Sequence, residues 1–108
     1  MDLRKAFQSE YSEHYRIRAV AYAEADGEAL RLERLSKRVF SQIVTSGEGS
    51  IVAREHAARI NPKYTSVEDA WVTASTRANV AKADMEAVKI AFEEFRSRSA
   101  TARVERGM

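Results

Sequence analysis

The chain has 108 residues, a net charge of +2, one proline, four glycines and no cysteine. That length allows one domain, residues 1–108, and the missing thiols exclude disulfides, thiolate metal sites and a cysteine nucleophile. So few turn residues, with Ala, Glu and Arg abundant, favour long helices over sheet.

No apolar run approaches the ~20 residues of a membrane-spanning helix. The opening MDLRKAFQSEYSEH lacks the apolar core of an export signal, so the expected setting is cytoplasmic. Charge is uneven along the chain. Residues 1–30 carry four basic and six acidic side chains, residues 31–63 seven and three, and residues 64–108 seven of each. The positive excess therefore lies mid-chain, where it serves either a polyanion or an ordinary solvated face.

A first helix is predicted over about residues 2–45, with Asp2 at the positive end of its dipole. Leu3, Phe7, Tyr11, Tyr15, Tyr22, Ala25, Ala29, Leu32, Val39 and Ile43 fall near one face. Val20, Leu30, Leu35 and Phe40 widen that stripe, and Arg16 and Arg18 interrupt a strict seven-residue repeat. Gly27 reads as a tolerated defect, or as a close approach of another backbone to the alanine-rich seam opposite. Ser46-Gly47-Glu48-Gly49-Ser50 ends the helix, with Ser50 as N-cap of a short helix over 51–60. Asn61-Pro62 stops the short helix, because the residue before proline avoids helical dihedrals. Lys63-Tyr64-Thr65 reads as a link, and Ser66 with Asp69 as a capping-box relative opening the last helix, 67–106.

That last helix carries the most regular pattern. Val67, Trp71, Ala74, Ala78, Ala81, Met85, Val88, Phe92, Phe95, Ser99 and Ala102 alternate steps of four and three over five heptads. Such a seam lies along another helix. The predicted fold is all-α: a long antiparallel hairpin of long, short and long helix, coiled-coil-like, each long helix roughly 60 Å at 1.5 Å per residue. Two helices alone cannot cover such wide stripes, so two hairpins are expected to pair as a dimeric four-helix bundle. Its seam would be Trp71, Ala74, Ala78, Ala81, Met85, Val88, Phe92 and Phe95.

Enzyme signatures are missing. SGEGS has no Lys-Ser/Thr at P-loop spacing. No Glu-x-x-His pair exists for a di-iron bundle, since Tyr11 and Ala53 precede His14 and His56 by three. Glu10 and His14 are one turn apart without further ligands, and Glu55-His56 lacks zincin spacing. Glu93-Glu94 and Asp84/Glu86 point apart on a helix. Glu86–Lys89 and Glu94–Arg98 have the spacing of ordinary helix ion pairs. The expectation is a non-enzyme with no cofactor, metal or small-molecule substrate.

Binding features are more promising. Arg31, Arg34 and Arg38, with Lys37 alongside, lie near the connector, which adds Arg54, Arg59 and Lys63. Folding back would gather them at one end of the hairpin for phosphates. Tyr11, Tyr15 and Tyr22 beside Arg16 and Arg18 have the composition of a base-stacking surface and the spacing of a buried face, and the second fits better.

The stretch Ser50…Arg54-Glu55…Ala58…Pro62-Lys63-Tyr64, with Ala74, Phe92-Glu93-Glu94-Phe95-Arg96-Ser97 and Ala100…Arg103…Glu105, resembles a family of small, helical, uncharacterised bacteriophage proteins. The resemblance covers about residues 50–106 and departs from the pattern at the apolar Val52-Ala53. It implies a phage or prophage origin near recombination and replication genes. The function expected on that basis is an accessory role in viral DNA metabolism, by binding DNA or docking on a DNA-processing protein. The alternatives are a helical inhibitor or adaptor of a host defence or nuclease protein, and a purely structural oligomer.

Overall fold

The computed structural model describes residues 3–107; the side chains of Leu3, Arg4, Ala6 and Phe7 also lie outside the description. The expectations placed on Asp2, Leu3 and Phe7 therefore fall outside the described residues. Three helices follow in order: α1 (Leu3–Ser46), α2 (Ile51–Ile60) and α3 (Pro62–Arg106). The long–short–long order is as the sequence predicts.

The α1–α2 corner is made by backbone-specific residues. Gly49 takes φ +95°, a left-handed conformation that disfavours any side chain. Ser50 caps α2, its hydroxyl accepting from the Ala53 N–H at 3.2 Å. Gly47 leaves room for Arg54: a Cβ there would meet Arg54 Cγ at 3.2 Å and the Ile43 carbonyl at 3.3 Å.

The α2–α3 corner corrects the sequence reading. Helix α3 begins at Pro62, not Val67, so Tyr64, Ser66 and Asp69 lie within it. The cap is Asn61, whose Oδ1 accepts from the Lys63 N–H at 2.9 Å. Its carbonyl accepts from Tyr64 and Thr65, each at 3.0 Å. Proline ends α2 and opens α3 at once, because its missing N–H and fixed φ suit the first helical position.

Packing falls into two compact units. The inner unit, Ala23–Asn79, holds the second half of α1, all of α2 and the first part of α3. Its core is a small-residue cluster of Ala29, Ala74 and Ala78, with Ala25 and Leu32 packed against it. Ala58 of α2 is fully covered, and Phe40 meets Tyr64 with ring centroids 5.4 Å apart. In this unit α1 numbers rise as α3 numbers fall, so the two segments run antiparallel.

The terminal unit, Met1–Tyr22 with Val80–Met108, joins the first half of α1 to the rest of α3. Tyr11 stacks on Phe92, centroids 3.7 Å apart and planes 10° off parallel, and Arg96 lies 5.9 Å from the Phe92 centroid. Arg18 reaches Asp84 at 3.9 Å. This pair is antiparallel too.

From Thr76 onward, every described α3 residue that is not exposed belongs to the heptad seam. The matching line on α1 is Tyr11, Tyr15, Ala19, Tyr22, Asp26, Ala29, Glu33, Ser36, Phe40 and Ile43, all at least half-buried. Val20 and Leu30, expected to widen the inward stripe, are instead exposed. Small and polar residues, with Ser36 only 3 % exposed, take inward places that hydrophobicity alone would not assign. The Ser36 hydroxyl donates to the Glu33 carbonyl at 2.7 Å, which satisfies it within its own helix.

Gly27 has nothing within 4 Å of where a Cβ would stand, so close backbone approach is not its role. The close approach is made by Ala29 against Ala74 and Ala78. The expected Glu86–Lys89 and Glu94–Arg98 pairs do not close to ion-pair distance. The helix-surface pairs formed are Glu13–Arg16, Glu28–Arg31, Glu33–Lys37 and Glu55–Arg59.

Candidate nucleic-acid interface

The seven cations singled out by sequence all lie in the inner unit, but the fold distributes them. Arg31, Arg34 and Arg38 line one groove of about 460 Å³ along α1, with Gly27, Leu30 and Leu35. Spacings of three and four place the three arginines on the face of α1 turned away from its Ala29–Ser36 line. Gly27 contributes by absence, since a missing side chain leaves that end of the groove open.

Arg31 is held by Glu28 through two hydrogen bonds, at 2.6 and 3.0 Å. These bonds hold the Glu28 carboxyl below its usual range and raise the guanidinium further. Arg34 and Arg38 have no carboxylate within ion-pair distance among the described residues and are exposed.

Lys37 and Arg59 face a second groove of about 400 Å³, lined also by Phe40, Tyr64 and Trp71. Here α1 supplies Lys37 and Phe40, α2 supplies Arg59, and α3 supplies Tyr64 and Trp71. Lys37 pairs with Glu33 at 3.1 Å and Arg59 with Glu55 at 3.9 Å. Interaction with the Glu68 carboxylate, and then burial, raises the Tyr64 phenol above its ordinary pKa, while the Arg59 charge pulls it down. The proximity of Arg59 to the phenol is thus felt electrostatically.

Lys63 lines a third groove with Val39, Ile43 and Val67. Arg54 is engaged in packing: its stem lies against Gly47, and its Nε is buried without a hydrogen-bond partner. The fold therefore joins Arg31, Arg34 and Arg38 in one place, Lys37 and Arg59 in another, and sets Arg54 and Lys63 apart.

Sequence reasoning placed Trp71 on the α3 seam and left Phe40 and Tyr64 in a flank and a link. The signal that joins them is helical phase: Tyr64 and Trp71 are seven residues apart, which puts them on one face once α3 starts at Pro62.

The tyrosines of the terminal unit behave as packing. Tyr11, Tyr15 and Tyr22 are half-buried, with Tyr11 against both Tyr15 and Phe92. No cluster of three metal-ligating side chains occurs among the described residues. No described helix is long and apolar enough to cross a membrane. Compared with protein-family models, curated proteins and solved structures, the chain matches none.

Proposed function

We propose that the chain is a non-enzymatic helical protein of phage type that binds nucleic acid through the outer face of α1, as an accessory in DNA metabolism. The observation that carries this reading is the alignment of Arg31, Arg34 and Arg38 in one groove, with Arg34 and Arg38 unengaged by carboxylates among the described residues. Arginine offers a planar fork of donors that matches phosphate oxygens. The phage-type setting rests on the motif resemblance over residues 50–106.

The test is binding of labelled DNA across a salt series. The wild-type chain should lose affinity steeply as salt rises. Arg34→Ala combined with Arg38→Ala should flatten the log–log slope by roughly 0.9 for each phosphate no longer neutralised. No binding at about 50 mM salt, or a flat salt response, would dismiss the reading.

We also propose that two chains pair. Helix α3 carries a second apolar line in the terminal unit, Val80, Ala83, Ala87 and Ile90, at steps of three and four and facing away from the seam. Val80 is 56 % and Ile90 55 % exposed. Sedimentation equilibrium should return twice the chain mass. The same line would serve a helical adaptor docked on a host protein. A monomer mass, capture of one host protein and no nucleic-acid binding would favour that reading instead.

A further inference from the structure

We infer that the groove between Lys37 and Arg59 takes an unpaired nucleobase, making the chain selective for single-stranded nucleic acid. This deepens the nucleic-acid reading and rests on it. Three aromatic side chains, Phe40, Tyr64 and Trp71, meet in this one groove of about 400 Å³. The Phe40 and Tyr64 rings are inclined by 60°. Phe40, Tyr64 and Trp71 are each partly exposed, so ring surface is left for a further planar group. Every base has such a face, and stacking on aromatic side chains is how single strands are held without regard to sequence.

The charges around the groove fit a strand rather than a free base. Lys37 from α1 and Arg59 from α2 both line it, and both are largely exposed. Three acids act on the lining residues: Glu33 pairs with Lys37, Glu55 with Arg59, and Glu68 acts on Tyr64. Lys37 and Arg59 hold their acids through exposed pairs at helical spacing, which are weak and readily exchanged for a phosphate. Lys37 is three residues beyond Arg34 on the same helix, so phosphates leaving the groove meet Lys37 and then the α1 arginines. A duplex cannot use this arrangement, because its bases are already stacked and present only their edges.

Trp71 is the sole tryptophan and lines the groove, so it reports on occupancy. The probe is an oligothymidylate, compared with a duplex of equal length at low salt. Intrinsic fluorescence and anisotropy of the labelled strand are read in the same titration. The expected result is tighter binding of the single strand with quenching of Trp71 fluorescence. Tyr64→Leu should weaken single-strand binding about tenfold with an unchanged salt slope, while Tyr64→Phe, which keeps the ring, should retain it. Thermal melts of both variants check that the fold survives. Equal binding of both forms with unchanged Trp71 emission overturns the base site and leaves the α1 phosphate reading standing. Absence of binding by either form overturns both.

Discussion

Ala74 and Ala78 on the α3 seam do what a larger residue cannot. Ala74 and Ala78 are buried against Ala29, and no large side chain among the described residues is fully covered. The helices approach closely here because Cβ atoms are all that separate them. Ala78→Leu adds three carbons where none fit and should cost about 1–3 kcal/mol by overpacking. Lys82→Leu, on an exposed position of the same helix, should cost little. Chemical denaturation of the two variants checks this, and equal midpoints would place the seam on the wrong face. The seam residues were readable because Trp71, Ala74, Ala78, Ala81, Met85, Val88, Phe92 and Phe95 keep strict register. Ser36 and Asp26 were not readable, since a polar side chain gives no hint of turning inward when its helix satisfies it or its exposure is only partial.

At the level of the helix, Gly27 is the clearest case of a residue whose role is not packing. It lies inside α1 with nothing near its missing Cβ. Gly27→Ala should stabilise the chain by up to about 1 kcal/mol through helix propensity alone. A melt in which the variant unfolds at lower temperature would show an unseen neighbour. Helix ends were legible where one residue type suffices: Ser50 as cap, and Gly49 in the left-handed corner. The start of α3 was misread because proline carries two messages, one for the helix it stops and one for the helix it begins. That extension of α3 back to Pro62 decides the aromatic groove. With Tyr64 in a link, it has no fixed phase; inside α3, it stands one heptad before Trp71.

For the molecule as a whole, large apolar side chains stay uncovered on α3: Val72 is 58 %, Val80 56 %, Ile90 55 % and Val104 66 % exposed. Helix order and seam register followed from period and punctuation. The alignment of Arg31, Arg34 and Arg38 followed from their spacing on α1, whereas the meeting of Lys37 with Arg59 did not, because it depends on how α2 packs beside α1.

An alanine-and-serine interior has a consequence for how this chain reaches its folded state. Side chains that small remove little apolar surface per residue ordered, so the hairpin alone has a thin margin over chain entropy. The proposed pairing of two chains would then contribute to folding by mass action. The midpoint of thermal unfolding should climb as the protein is concentrated, and dilution should loosen the helices themselves rather than release two finished hairpins. A midpoint independent of concentration over a hundredfold range would mean that one chain holds its own structure.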